Sequence, residues 1–366
     1  MPLDEWVREH QFNSFNSWKG LLYREWYEAI VKGELLPPVE ASLDPIHRCN
    51  LACKHCNSNR YVKRDDKAAR MTDEHLLDLM EFLGDWGVRA ICFGGGGEPT
   101  LHTALHKAIS MAAAKGMKTS IATNGTNMPP ELLDAVPLTR WVGVSLDAGN
   151  KNTYKALKGS GVFNKVLANV ESMVKVAGKG CDISIKFLIS EVNQGEILEA
   201  CKIAKDLGVR DFHVRPADYS HQGMGELSGQ IGNVDIGLIT DQFYECRILE
   251  TNEFRVFTVV HKFDRDFRPL KRFKQCYAAP LTIQLCADGC VYFCVDQRHR
   301  TNYILGKHIP DPKQILEFWG GKEHLDLVFC DTPYSCKTRC TYGVYNEQCE
   351  QLFAKTNKDP MCWEFP

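Results

Sequence analysis

The sequence predicts an α/β protein: a curved, partial (β/α)6 barrel of the TIM-like kind, followed by a smaller cysteine-rich domain. Two observations lead to this fold class. Apolar strand-like runs alternate with helical patterns from about residue 41 to 217, and nine of the sixteen cysteines lie between Cys276 and Cys362. Strands that alternate with helices form right-handed βαβ crossovers and a parallel sheet, and six such units are too few to close an eight-stranded barrel.

The individual elements follow from apolar periodicity and capping residues. Thr72 is placed to cap a helix whose apolar residues recur at the i, i+3, i+4, i+7 spacing of one helix face. Beyond residue 218 we expect a glycine-rich connection, a short helix near 238–249 and a hairpin that turns at Asp288-Gly289. The predicted strands span 39–46, 89–95, 118–123, 141–147, 182–190 and 211–216, and further helices span 102–115, 163–177 and 194–207.

These elements divide the chain into four segments. An aromatic-rich, helical N-terminal extension (1–38) precedes the barrel (39–217). A connecting segment (218–275) follows, and the cysteine-rich domain (276–366) comes last. Ligands of parallel α/β sheets bind beyond the carboxyl ends of the strands, so functional residues are expected directly after each strand.

The composition excludes several classes of protein. The chain has 366 residues, 44% of them apolar, and a formal net charge of −2, which gives no basis for general nucleic-acid or membrane-surface binding. The start, MPLDEWVREHQ, lacks the apolar region of a signal peptide, and no apolar run approaches the length of about 20 residues that spans a bilayer. We therefore expect a cytoplasmic protein, where clustered cysteines favour metal or redox chemistry over disulfides.

Three cysteines follow the first predicted strand, in the stretch HRCNLACKHCNSN (47–59). Their spacing, Cys49-x3-Cys53-x2-Cys56, offers three thiolates within one compact loop. A zinc knuckle would need a fourth ligand, such as His47 or His55. A [4Fe–4S] cluster is normally held by four thiolates, so three would leave one iron open to an exogenous ligand.

This spacing resembles the signature of the radical S-adenosylmethionine (radical SAM) enzymes. The resemblance implies that Cys49, Cys53 and Cys56 hold a [4Fe–4S] cluster whose open iron binds the amino and carboxylate groups of S-adenosylmethionine (SAM). It also implies an electron donor such as flavodoxin or ferredoxin, because reduction of the cluster cleaves SAM and yields a 5′-deoxyadenosyl radical.

Four glycines directly follow the second predicted strand, in CFGGGGEPTL (92–101). Glycine lets the backbone approach a ligand closely. The stretch resembles the family's GGE segment, which holds the methionine amino group of SAM. The residues that match this segment are Gly95, Gly96, Gly97 and Glu98.

Later strand ends follow the same family order. Asn124, Ser145 and Asp147 match positions that contact the methionine carboxylate and ribose of SAM, with a loop-capping role equally open for each. Lys158 matches a position where relatives often place an arginine for the carboxylate, but a lysine cannot form the same bidentate pair. Arg215, at the end of the sixth strand, is a candidate for positioning SAM or substrate, or for pairing with a carboxylate.

The cysteine-rich end resembles the SPASM and twitch extensions of radical SAM enzymes, which carry auxiliary iron–sulfur clusters. Leu327 stands where the family's later motif would need a cysteine, so we expect one auxiliary cluster and keep two, or a zinc ion, as alternatives. The matching ligands are Cys276 and Cys294, then Cys330, Cys336 and Cys340, with Cys349 or Cys362 last; for a single cluster they are Cys276, Cys294, Cys340 and one of Cys290, Cys286 or Cys330.

Together these resemblances predict a radical SAM oxidoreductase. It would abstract a hydrogen from a small molecule such as a sugar, cyclitol or nucleotide and oxidise or epimerise it, with an auxiliary cluster taking up the second electron of an oxidation. A peptide- or protein-modifying maturase is the second hypothesis, and a non-catalytic metal-binding scaffold is the third. The short N-terminal extension favours the small molecule, because it looks too short for a leader-peptide-binding domain.

Overall fold

The strands form one sheet that is parallel over most of its width. The structure is a computed structural model that describes residues 22–59, 61–217, 232–258, 265–268, 273–330, 340 and 342–356. Much of the predicted glycine-rich connection, together with Cys336 and Cys362, lies outside the described residues. The strands are β1 (Glu40–Asp44), β2 (Ala90–Phe93), β3 (Lys118–Thr123), β4 (Trp141–Ser145), β5 (Asp182–Ile189), β6 (Asp211–Pro216), β7 (Arg255–Thr258), β8 (Thr282–Cys286), β9 (Cys290–Tyr292) and β10 (Ile304–Lys307).

Helices follow most of the parallel strands. In the described chain they are α1 (Arg24–Val31), α2 (Asp73–Trp86), α3 (Leu105–Ala114), α4 (Pro130–Ala135), α5 (Lys151–Lys158), α6 (Phe163–Ala177), α7 (Ile197–Asp206), α8 (Ile236–Ile248), α9 (Ile315–Phe318), α10 (Lys322–Phe329) and α11 (Gly343–Thr356). The predicted cap of α2 is confirmed, because the Thr72 hydroxyl accepts a hydrogen bond from the His75 amide at 3.1 Å. None of the described helices is long and apolar enough to cross a membrane.

The sheet order is β10-β9-β8-β1-β2-β3-β4-β5-β6-β7. In this order, the strands β8, β1, β2, β3, β4, β5, β6 and β7 pair in parallel with one another. Strand β9 pairs antiparallel with both β8 and β10. The predicted α/β fold class, with its parallel sheet and partial barrel, is confirmed. The hairpin prediction is also confirmed: β8 and β9 pair antiparallel, and Gly289 takes a φ of +81° between them.

Two parallel strands were not predicted as part of the barrel. β7 adds to the outer edge of β6, and β8 pairs with β1 on the opposite side. β7 has only four residues, RVFT, in a stretch rich in basic and aromatic residues, so it offers too little periodicity to be recognised. The β1–β8 pairing joins distant parts of the chain, and no local pattern encodes such a register.

The strands separate an apolar face from a polar one. Along β5, Ile183, Ile185 and Phe187 are buried in the core under the helices, so Ser184 and Lys186 face the interior of the barrel. The strand registers place further residues on this inner face, which we define by Ser42, Cys92, Ser120, Trp141, Lys186, His213 and Gln284. A polar inner face indicates a binding cavity, since the interior of a closed barrel is normally filled by packed side chains.

A second apolar cluster joins the two ends of the described chain. Trp26, Tyr27 and Ile30 of α1 pack with Cys276 and Phe293 of the cysteine-rich segment. The Trp26 indole donates a hydrogen bond to the Pro37 carbonyl at 2.7 Å. The expected N-terminal helix is therefore present, and it lies against the region that follows the barrel.

Candidate active site

The three-cysteine loop lies at the carboxyl end of β1 and is fixed on both sides by backbone hydrogen bonds. On one side the Glu98 amide donates to the Arg48 carbonyl at 2.8 Å. On the other, the Lys54 amide donates to the Leu157 carbonyl at 2.9 Å, at the end of α5. The loop therefore lies between the glycine-rich loop after β2 and helix α5.

The thiols of Cys49, Cys53 and Cys56 are half-buried, and none forms a disulfide. Burial raises the pKa of the Cys53 thiol to about 11. The Lys158 ammonium opposes this rise, while Cys56 and Cys49 reinforce it. Cys49 and Cys56 are thus close enough to act on the Cys53 thiol, and three thiols this close within one loop fit a three-thiolate cluster.

The glycine-rich loop touches the cysteine loop so closely that side chains would not fit. A Cβ at Gly97 would lie 2.3 Å from the Arg48 carbonyl oxygen, and one at Gly96 would lie 2.7 Å from Asp44 Oδ2. Gly95 has a φ of +76°, and its carbonyl accepts a hydrogen bond from the Ser58 hydroxyl at 2.8 Å. The predicted SAM-binding glycines are thus held directly beside the cysteines.

Glu98 connects two loops at this edge of the sheet. Its side chain is 2% exposed, and its carboxylate accepts hydrogen bonds from the Thr123 hydroxyl at 2.6 Å, the Asn124 amide at 2.7 Å and the Thr100 hydroxyl at 2.7 Å. Burial raises the pKa of Glu98, and these hydrogen bonds oppose that rise. In the described structure Glu98 therefore ties the loop after β2 to the loop after β3.

Asn124, at the end of β3, faces the cysteine loop. Its side-chain amide donates to the Asn50 side chain at 2.9 Å and lies 3.9 Å from Cys49 Sγ. The side-chain oxygen of Asn124, Oδ1, accepts a hydrogen bond from the Thr126 backbone amide at 2.9 Å. A hydrogen bond to a cysteine sulfur is one of the interactions by which a protein adjusts an iron–sulfur cluster.

Asp147 and Lys158 form a buried ion pair next to the cysteine loop. Asp147 is fully buried and Lys158 is 2% exposed, and His55 Nε2 lies 3.0 Å from the same carboxylate oxygen. Burial acts to raise the pKa of the Asp147 carboxyl, but Lys158 and His55 outweigh it and hold that pKa well below its usual range. The Leu188 amide also donates to Asp147, at 2.7 Å. Lys158, predicted to meet the SAM carboxylate, is thus bound to a carboxylate of the protein.

Asp44 and Arg298 form a second buried ion pair, which the sequence did not indicate. Arg298 Nη1 lies 2.8 Å from Asp44 Oδ2 at the carboxyl end of β1. Burial raises the pKa of the Asp44 carboxyl, and Arg298 opposes that rise. Arg298 follows β9 far along the chain, so only the folded sheet brings the two together.

Lys186 is a cationic group on the inner face of the barrel. Its ammonium lies 4.1 Å from the centroid of the Trp141 ring, and burial, followed by the charge of Arg215, lowers its pKa to about 8. Lys186 makes no ion pair with a carboxylate within the described part of the chain. Ser145, another predicted SAM contact, ends β4 in register with Lys186. Lys186 was not recognised from the sequence, although it stands out as a charged residue within the apolar run DISIKFLI.

The predicted auxiliary-cluster cysteines divide into groups. Cys276, Cys294 and Cys340 are each 7% exposed, and Cys276 and Cys294 share one apolar cluster with Cys349. The Asn346 side chain donates to Cys276 Sγ at 3.5 Å, and the Tyr342 amide donates to Cys340 Sγ at 3.3 Å, so α11 begins beside both.

The other predicted ligands among the described residues differ from this group in exposure or in position. Cys330 is exposed and its thiol points to the Leu327 carbonyl. Cys290 lies on β9, where burial, followed by Asp288, raises the pKa of its thiol. Cys286 is buried on the barrel side, 3.7 Å from Asp44 Oδ2. The buried group nearest to α11 therefore offers Cys276, Cys294, Cys340 and Cys349 as the candidate donor set.

Part of this chain is similar to known proteins. Residues 43–189 match the model of the Radical SAM superfamily. Pre-heme d1 synthase of Dinoroseobacter shibae is 31% identical over 206 residues, which cover 55% of this chain and 48% of that protein. The antilisterial bacteriocin subtilosin biosynthesis protein AlbA of Bacillus subtilis is 27% identical over 180 residues, covering 48% and 38%.

The fold is shared with a solved structure. SuiB of Streptococcus suis, crystallised with its precursor peptide SuiA, superposes with a TM-score of 0.60 at 15% identity, covering 82% of this chain and 69% of SuiB. This chain spans about half the length of the curated relatives it matches. Residues 43–189 therefore form a radical SAM domain, as the cysteine spacing predicted. A domain of this superfamily implies a [4Fe–4S] cluster and SAM.

Replacing Lys158 should destabilise the protein strongly. Lys158→Met removes the cation and leaves the fully buried Asp147 carboxylate short of a partner, a change that costs about 3–5 kcal/mol of unfolding free energy. The matched control is Lys155→Met, an exposed position on the same helix, which should change stability by less than about 0.5 kcal/mol. Anaerobic unfolding at pH 7 measures both, and equal effects of the two variants would show that the ion pair contributes nothing.

Proposed function

We propose that this protein is a radical SAM oxidoreductase that removes a hydrogen atom from a small anionic molecule bound on the inner face of the barrel. The observation that carries the substrate class is Lys186. This lysine faces the barrel interior beside Trp141 and has no carboxylate partner among the described residues. A cation held there in its charged form would stabilise a phosphate or carboxylate of a bound molecule.

The residues at the carboxyl edge fit the cofactors of the superfamily. Cys49, Cys53 and Cys56 would hold the cluster, and the glycine loop 95–97 would bind the methionine part of SAM beside it. When bound, the reduced cluster and SAM supply a 5′-deoxyadenosyl radical, which can remove a hydrogen atom from a C–H bond. Glu98 and Asn124 hold the surrounding loops in place through their hydrogen bonds. The protein thereby orients the reactants while the cofactor carries the difficult chemistry.

The inner face favours a small, polar, negatively charged substrate. The Lys186 side chain has a pKa of about 8 and is therefore mainly charged at neutral pH. Lys186 and Arg215 are close enough for the charge of Arg215 to lower that pKa, so two cations influence the same part of the barrel. An anion bound at Lys186 would favour the charged form of that side chain. Among the sugars, cyclitols and nucleotides expected from the sequence, those with phosphate or carboxylate groups fit best.

The buried cysteines near α11 support oxidation rather than a redox-neutral reaction. Oxidising an alcohol carbon removes a hydrogen atom, one further electron and one proton. An auxiliary cluster held by Cys276, Cys294, Cys340 and Cys349 would supply an acceptor for that electron. The four thiols are buried, which is the environment expected for a cluster shielded from solvent.

A peptide substrate is the second candidate. It is favoured by the similarity to AlbA, a protein named for bacteriocin biosynthesis, and by the fold shared with SuiB. A peptide would have to place one side chain in the same barrel cavity. The small-molecule proposal therefore needs a test that includes peptides.

A substrate panel tests the anionic class. Nucleotides, sugar phosphates, their unphosphorylated counterparts and short peptides are compared by the 5′-deoxyadenosine that each one induces. We expect phosphorylated compounds to be the active ones. Lys186→Met should lower kcat/KM for them about tenfold or more, because a charge-assisted hydrogen bond is worth about 1.5–3 kcal/mol. Lys202→Met, an exposed position on α7, is the matched control and should change nothing.

The pH dependence of stimulation by an anionic substrate is a second test of the role of Lys186. Lys186 is charged below a pH of about 8 and loses its proton as the pH rises through that value. Stimulation by an anionic substrate should therefore fall as the pH rises past about 8, and Lys186→Arg should shift the fall to higher pH. Equal stimulation by neutral compounds, or by peptides alone, would contradict the proposal.

Iron counting tests the auxiliary cluster. After anaerobic reconstitution we expect about eight irons per chain, because each [4Fe–4S] cluster holds four. About four irons would refute any auxiliary cluster, and about twelve would mean two auxiliary clusters. Cys294→Ala should reduce the count to about four. Cys181→Ala, which changes a buried cysteine bonded to Thr139, is the control and should retain the wild-type count.

A further inference from the structure

A second group of metal-ligating side chains lies next to the three-cysteine loop and includes His47, the first residue of that stretch. His47 comes from the loop after β1, Cys286 ends β8, and His299 follows β9. One ligand atom from each lies within 4.8 Å of those of the other two. His47 is 3% exposed, Cys286 is fully buried, and His299 is half-buried. Two segments that are distant in sequence, the loop after β1 and the β8–β9 region, thus converge on one point.

Two of these side chains have a buried nitrogen atom with no hydrogen-bond partner among the described residues. Nε2 of His47 and Nε2 of His299 make no hydrogen bond with any described residue. The two rings are 4.7 Å apart and nearly perpendicular. Buried polar atoms in folded proteins almost always have a partner, so two orphan imidazole nitrogens beside a thiol point to a missing ligand.

The surroundings of His299 hold its ring in the orientation of a metal ligand. Its Nδ1 lies 3.3 Å from Asp288 Oδ2, and the same oxygen accepts a hydrogen bond from the Tyr292 hydroxyl at 2.8 Å. A carboxylate that accepts from one ring nitrogen leaves the other to bind a metal, and this arrangement is the rule around metal-bound histidines. The backbone of His299 takes a φ of +60°, which is uncommon for a residue with a side chain.

We propose that His47, Cys286 and His299 bind one divalent transition-metal ion of the zinc type. Two imidazoles and one thiolate are a ligand set that such ions prefer. Bonds of about 2.0–2.3 Å to a tetrahedral ion place its ligands about 3.3–3.8 Å apart, so small side-chain rotations would complete the site. The Asp44 carboxylate accepts a hydrogen bond from the Cys286 thiol at 3.7 Å, and Arg298 holds that carboxylate in place.

Three protein ligands leave the fourth position of the ion for water or a heteroatom of a bound molecule. A cavity of about 190 Å³ lined by Tyr61, Arg298 and His299 adjoins this position. The ligand set includes none of Cys49, Cys53 and Cys56. It also differs from the auxiliary-cluster candidates, because Cys286 faces Asp44 on the barrel side while Cys276 and Cys294 belong to the apolar cluster with α1.

Metal analysis of the full-length protein tests the site. The cluster-loaded protein is dialysed against zinc and then against chelator, and zinc and iron are measured in the same sample. We expect about one zinc per chain, held by one sulfur and two nitrogens in zinc K-edge X-ray absorption. No retained zinc, or a shell of three or four sulfurs, would overturn the proposal, because the latter would place zinc in a cysteine cluster.

Variants make the assignment specific. Cys286→Ser and His299→Ala should each lose the zinc at unchanged iron content, and Asp288→Asn should weaken zinc binding about 10–100-fold. Cys181→Ser, a buried thiol hydrogen-bonded to Thr139 and outside both sites, is the matched control and should retain zinc. Zinc that persists in both ligand variants would refute the site. If Cys286→Ser lowers iron instead of zinc, Cys286 is a cluster ligand and the proposal fails.

Discussion

The close contact between the cysteine loop and the glycine-rich loop is the constraint on which the rest of the site depends. Any side chain at Gly97 would overlap the Arg48 carbonyl, and the Glu98 amide bonds to that same carbonyl. Glu98 then extends the connection to β3 through its buried carboxylate. Helix α5 fixes the other side of the cysteine loop through Lys54. The positions of Cys49, Cys53 and Cys56 are therefore set by backbone contacts from neighbouring βα units.

Two pairs of buried charges in the barrel neutralise each other, whereas Lys186 has no carboxylate partner among the described residues. Asp147 is neutralised by Lys158, and Asp44 is neutralised by Arg298, so these four side chains support loops and strand ends. Breaking either pair would leave a charge in a medium that stabilises it poorly. Lys186 differs, since it lies over the Trp141 ring and makes no ion pair with a carboxylate among the described residues. This contrast separates groups that maintain the structure from a group that can receive an anionic substrate.

Local patterns predicted much of this architecture. The six strands from β1 to β6, the Thr72 cap and the Asp288-Gly289 turn all depend on residues close in sequence, and the structure confirms each. The cysteine triplet is likewise local, and the family comparison supports its interpretation.

What could not be predicted depends on contacts between distant segments. The pairing of β8 with β1 brings Cys286 and Arg298 to Asp44, and no periodicity encodes that register. Lys158 was assigned to SAM by its position in a motif, yet its partner Asp147 is known only once β4 and α5 are folded together. The orphan nitrogens of His47 and His299 become visible only when hydrogen bonds can be counted.

The central claim is that SAM binds the iron left open by Cys49, Cys53 and Cys56. Electron–nuclear double resonance on the reduced protein, with SAM carrying ¹⁵N in its amino group and ¹⁷O in its carboxylate, tests this most directly. We expect hyperfine coupling of both labels to the cluster, and its loss in Cys53→Ala. A reduced cluster with no coupling to either label, although SAM is bound, would contradict it.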